Sequence, residues 1–138
     1  MYIKIFVLLA LIFMGCSASD IPKDSKSKTN YSIIFYDTLN NKLWEGAMTL
    51  NKNIPGVISG EIIINKKHVN IFKGSDLING KFSGSMINET TQLVLPPKVT
   101  DYNVYINLKR SSDGFLGNWT FTTMKGNENS GKVVCKKI

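Results

Sequence analysis

The sequence predicts an all-β chain, folded as one small antiparallel up-and-down β-barrel of about eight strands. Three observations carry this. From Tyr31 onward, short runs rich in Ile, Val, Phe, Tyr and Thr alternate apolar with polar residues, the period expected of strands buried on one face. Turn-forming pairs such as Asn40-Asn41 and Asn79-Gly80 interrupt the runs at roughly ten-residue intervals. No stretch of this region keeps a helical period. With 138 residues in all, there is room for one small domain. A meander this short favours closure, because a closed barrel has no unpaired edge. A two-sheet β-sandwich is the alternative.

Strands are expected near 31–37, 42–50, 57–65, 68–74, 80–87, 101–109, 115–124 and 132–138. The first, YSIIFYD, is almost wholly aromatic and β-branched. In the second, Trp44, Gly46, Met48 and Leu50 share a face; in the third, Ile58, Gly60, Ile62 and Ile64 do. Lys66-Lys67 is read as a tight turn into a strand at 68–74, and Ile78-Asn79-Gly80 as the turn before 80–87. Residues 88–100 are read as a longer connection, because Pro96-Pro97 cannot donate to a ladder. Tyr102, Val104, Ile106 and Leu108 then face one side, with Asn103 and Asn107 on the other. Gly117, Trp119 and Phe121 line the seventh strand, and the run 132–138 closes the order.

The segment ahead of these strands has a different character. Residues 1–15, MYIKIFVLLALIFMG, carry one charge, Lys4, and an unbroken apolar run from Ile5 to Met14. That run is shorter than the ~20 residues of a spanning helix and fits the hydrophobic region of a secretory signal peptide. It ends in Gly15-Cys16, followed by Ser17-Ala18-Ser19-Asp20. Leu11-Ile12-Phe13-Met14-Gly15-Cys16 resembles the cleavage site of a bacterial lipoprotein precursor, departing from the commonest pattern at Phe13 and Met14.

This resemblance implies that Cys16 is lipidated, with palmitate among its acyl chains, and becomes the new N-terminus. Several chains anchor firmly where one holds only marginally. Ser17 after the cysteine implies the outer membrane of a Gram-negative envelope, on either face. An ordinary signal peptide cut after Ala18 is the alternative. Cleavage before Cys16 removes Lys4, so 17 basic residues become 16 against 10 acidic, and +7 becomes +6. Residues 16–30 hold few large apolar side chains and read as a lipidated cysteine followed by a flexible tether; the barrel domain is 31–138.

Glycine, apolar residue, glycine recurs in Gly56-Val57-Ile58-Ser59-Gly60, Gly80-Lys81-Phe82-Ser83-Gly84 and Gly114-Phe115-Leu116-Gly117. Small curved barrels need such positions at their corners. The last two of these, with the final Gly131-Lys132-Val133-Val134 run, resemble the C-terminal barrel of transferrin-binding-protein-type surface lipoproteins. Leu116 and Asn118 replace that family's Tyr and Pro. Gly117-Asn118-Trp119 is similar to the Gly-x-Trp of lipocalins, displaced from the first strand to the seventh. Both resemblances imply an eight-stranded barrel.

The chemistry-bearing residues are sparse. His68 is the only histidine and reads as a solvent-exposed turn residue, with no nucleophile or orienting carboxylate near it in sequence. Glu45, Glu61, Glu89, Asp101 and Asp113 are scattered, and nothing fits a zinc, calcium or phosphate site. No catalytic residue, metal or cofactor is therefore expected. Cys135, the thiol that remains beside a lipidated Cys16, is expected to be a small buried apolar group. The lysines are dispersed, with no basic run interleaved with exposed aromatics, so no nucleic-acid partner is expected. A lipocalin-like carrier would hold a small apolar ligand near Trp44, Phe82, Tyr102, Trp119 and Phe121, with Tyr36 and Phe72 as lesser candidates; the same side chains would otherwise be plain core. The first expectation is a non-catalytic, membrane-anchored module that binds a protein or a surface through loops such as 88–100.

Overall fold

The computed structural model describes residues 27–69, 75–98 and 100–138. The signal segment, Cys16, the tether up to residue 26, and Phe72 lie outside the described residues. Eight antiparallel strands follow one another around a ring: β1 (Ser27–Asp37), β2 (Lys42–Ile54), β3 (Val57–Lys67), β4 (Gly80–Ile87), β5 (Thr90–Leu95), β6 (Tyr102–Ser111), β7 (Gly114–Thr123) and β8 (Gly126–Lys137). Each pairs with the next, and β8 returns to β1 over Gly131–Lys137 against Tyr31–Asp37. That final ladder closes the barrel and rules out the sandwich.

Two strand assignments move. Of the predicted strand at 68–74, His68 and Val69 lie outside any strand and residues 70–74 lie outside the described residues; Ser75–Ile78, just beyond, forms one 3-10 turn. In the predicted loop at 88–100, Thr90–Leu95 is instead β5. Thr91, Leu93 and Leu95 alternate inward and are buried, while Pro96-Pro97 falls past the strand end and costs the ladder nothing. Nor do Lys66 and Lys67 turn, because β3 continues to pair Lys67 with Trp44. At the front, β1 starts at Ser27, so four residues read as tether belong to the sheet.

Alternation sends Ile33 and Phe35, Met48 and Leu50, Ile58 and Ile62, Val104, Ile106 and Leu108, and Trp119 and Phe121 inward, each at most 2% exposed. Ile78, on the 3-10 turn, joins this cluster from the β3–β4 connection. The interior is thus a packed core of the kind that a small eight-stranded barrel can fill with side chains. Outward positions carry Glu61, Lys81, Gln92, Asn107, Lys109 and Asn118, all exposed. A membrane-spanning barrel has an apolar band there instead. No helix among the described residues is long and apolar enough to cross a membrane.

The predicted glycine repeats do sit at the openings of β3, β4 and β7. Close approach is best seen at two glycines that face aromatic rings. Gly60 pairs with Phe82, and a Cβ there would lie 1.9 Å from the Thr49 carbonyl oxygen and 2.4 Å from Phe82 Cζ. Gly131 pairs with Trp119, and its Cβ would lie 1.9 Å from the Tyr36 carbonyl oxygen and 2.8 Å from Trp119 Nε1. Large rings therefore lie directly over bare backbone, which lets the narrow barrel hold them.

Strand direction alternates, so the connections divide between two ends. At the N-terminal end lie the start of β1, the turns at 55–56, 88–89 and 112–113, and the end of β8. The far end holds the turns at 38–41 and 124–125 and the β3–β4 and β5–β6 connections.

Candidate functional site

The far end brings together the residues that the sequence singles out most strongly. Trp44 on β2 and Trp119 on β7 meet edge to face, ring centroids 5.5 Å apart. Phe35 on β1 completes the set at 5.9 Å from Trp44 and 6.4 Å from Trp119. These strands are adjacent only because β1, β2, β7 and β8 are contiguous once the barrel closes. Trp119 Nε1 donates to the Tyr36 carbonyl oxygen at 2.8 Å, reaching across β8 over Gly131. Above the triad lies a cleft of about 230 Å³, lined by Asp37, Leu43, Trp44, Val69, Trp119, Asn129 and Ser130. Both indoles are only 1% exposed, so they form the sealed floor of the cleft rather than the walls of a hollow.

The other expected pocket residues divide. Phe121 is buried in the core, and Phe82 is buried over Gly60 on another wall. Tyr102 is 55% exposed, which corrects its inward placement. It has the inward parity of Val104 but stands at the first position of β6, above the level of the core. There its ring stacks on Phe121, centroids 6.4 Å apart and 12° from parallel. Asn103 is also buried rather than turned to solvent. Its Nδ2 donates to the Lys98 carbonyl oxygen at 3.0 Å and its Oδ1 accepts from the Thr100 amide at 2.8 Å, so the β5–β6 connection wraps around its amide. Phe35 lies outside the expected pocket set, although its place two residues after buried Ile33 carries the same alternation signal.

His68 has a carboxylate partner that its sequence neighbours conceal. Its Nε2 lies 2.6 Å from Glu45 Oε1, twenty-three residues away, and the pair is about 30% exposed rather than fully solvated. Lys42 Nζ shares the same oxygen at 3.4 Å. The hydrogen bond from His68, aided by Lys42, holds the Glu45 carboxyl below the usual carboxylate range. Asp37, held low mainly by hydrogen bonds from Asn41, pins the β1–β2 turn: its Oδ1 accepts from the Leu39 and Asn41 amides, each at 2.8 Å. Among the described residues, no serine or cysteine hydroxyl or thiol hydrogen-bonds to the His68 ring, and no three His, Cys, Asp or Glu side chains converge as a metal cage.

Cys135 faces inward from β8 at 1% exposure. Burial pushes its thiol up to about 12, so it carries no thiolate at neutral pH. What the far end offers chemically is a shallow, apolar-floored cleft with one carboxylate and two small polar side chains at its lip. Set against models of known protein families, curated proteins and solved structures, the chain matches none.

Proposed function

We propose that this protein is a lipid-anchored cell-envelope module whose barrel binds a protein or a surface without catalysis. The observation that carries the reading is the filled interior. Phe35, Trp44 and Trp119 interlock at the far end, and their burial supports an outward binding role over carriage of an apolar molecule. The tips of the far end support the same reading. Leu39, on the β1–β2 turn, is 79% exposed and Met124, on the β7–β8 turn, 83%. Those turns neighbour each other around the ring, and Lys132 Nζ, from β8, holds the β1–β2 turn through Asn40 Oδ1 at 2.8 Å. The anchor itself is supported by Leu11–Cys16 in the sequence.

Two measurements test this. Cys16→Ser should release the chain from membranes, and persistence of a slower-migrating acylated form would remove the anchor. Native mass spectrometry of protein taken gently from its own envelope should give an apo mass. A co-purifying small molecule that is lost in Trp119→Ala would turn the reading toward the carrier.

A further inference from the structure

The two ends of the barrel differ in how their charges are used. At the far end, acidic and basic groups pair: Lys42 and His68 with Glu45, Lys67 with Asp76. The N-terminal end carries Lys28, Lys52, Lys109, Arg110, Lys136 and Lys137, against Glu89 and Asp113. Among the described residues, none of these six cations lies in an ion pair, since all three pairs of the barrel sit at the other end.

The same end presents apolar side chains to solvent. Ile54 and Val57 flank the β2–β3 turn at 54% and 46% exposure, and Ile87 ends β4 at 68%. The Met86 amide donates to the Gly56 carbonyl oxygen at 2.9 Å, which draws the two hairpin tips together into one patch. A shallow cleft of about 310 Å³ opens beside it, between Lys52 and Met86. Across the ring, an opening of about 280 Å³ is lined by Arg110, Ser111, Ser112 and Lys137, together with one carboxylate, Asp113. Two guanidinium or ammonium groups beside two hydroxyls suit a phosphodiester.

We infer that this end is a docking face for an anionic phospholipid bilayer. The apolar hairpin tips enter the headgroup boundary while the basic arc meets the phosphates. Charge complementarity argues for this occupant, and so does chain direction: β1 starts at this end, so the N-terminal segment with Cys16 leaves from the face that would lie on the membrane. The inference rests on the anchored reading above and adds an orientation to it. Docked this way, the barrel turns Leu39, Met124 and the aromatic-floored cleft away from the bilayer.

The test uses the full chain with Ile87→Trp or Met124→Trp, reconstituted into vesicles of brominated phosphatidylcholine, alone or mixed equally with phosphatidylglycerol. Buried Trp44 and Trp119 give a background measured on the unsubstituted protein. Ile87→Trp should be quenched strongly, only in the anionic vesicles, and Met124→Trp should not. Each basic residue at an anionic surface is worth about fivefold in docked over free, so Lys109→Glu/Arg110→Glu/Lys137→Glu should lower that ratio more than about a hundredfold. Salt near 1 M, where the screening length is about 3 Å, should do the same without substitution.

Equal quenching of the two tryptophans, or quenching indifferent to phosphatidylglycerol, would overturn the inference and leave the face to a protein partner. A high-salt wash scores the anchor separately. A chain that washes off has lost the lipid reading, while the low-salt quenching recorded before the wash still decides the docking face.

Discussion

Adding one methyl group at Gly131 should damage this barrel about as much as truncating a large core side chain would. Gly131 lies on β8 between Trp119 of β7 and Tyr36 and Asp37 of β1. The Trp119 indole crosses it to donate to the Tyr36 carbonyl oxygen at 2.8 Å. An alanine Cβ would stand 1.9 Å from that oxygen and 2.8 Å from Trp119 Nε1. The oxygen is backbone in a closed ladder, so it cannot swing aside, and the indole is wedged against Phe35 and Trp44. Overpacking of this kind costs about 1–3 kcal/mol. Separating the indole from its acceptor adds about 1–2 kcal/mol, and alanine's smaller unfolded-state entropy returns about 0.5–1 kcal/mol.

The net expectation for Gly131→Ala is a loss of about 3 kcal/mol. For a domain of this size that lowers Tm by roughly 12–15 °C. Urea unfolding followed by tryptophan fluorescence measures it directly, because the probe is one of the residues displaced. Glu61→Ala, an exposed position in mid-strand, provides the control and should stay within about 0.5 kcal/mol. A cost for Gly131→Ala below about 1 kcal/mol would refute the reasoning, since the indole could then not be lying tightly over β8.

The remaining predictions concern the far end and the thiol. Trp119→Phe removes the donor to Tyr36 without adding bulk and should cost about 1–3 kcal/mol; combined with Gly131→Ala, the two costs should add to less than their sum, and simple additivity would count against the contact. Glu45 has its pKa lowered in the folded state by His68 and Lys42, so its contribution is fully present above the ordinary carboxylate range and is lost as pH falls through the lowered value. The Tm difference between the unsubstituted protein and Glu45→Gln should therefore shrink below about pH 5, and a difference unchanged at lower pH would exclude the ion pair as its source. Cys135, with its thiol pushed up to about 12 by burial, should resist maleimide in the folded protein and react on unfolding; peptide mapping that finds Cys135 labelled under native conditions would contradict its burial.

Local periodicity reached further into this protein than its motifs did. Side chains two apart on a strand share a face whatever the strand's partners are. The inward placement of Met48, Ile62, Ile106 and Trp119 was therefore legible before any pairing was known. Where the runs are short the same signal falters. Residues 90–95 run straight into Pro96-Pro97, and only their ladder partners on β4 and β6 make them a strand. Tyr102 shows a second limit: parity gives the face of a strand but not the depth along the barrel, and one position at the rim changes core into surface.

The sequence by itself determined the all-β class, most of the core, and the inward burial of Cys135, because each follows from neighbours along one chain. Tertiary structure alone decided the β1–β8 ladder that closes the ring, the meeting of Phe35, Trp44 and Trp119, and the Glu45–His68 pair. It alone also gathered cations from β1, β2, β6 and β8 onto one end, while every ion pair of the described residues formed at the other. These features join residues far apart in the chain, and register and closure, rather than local alternation, set which of them meet.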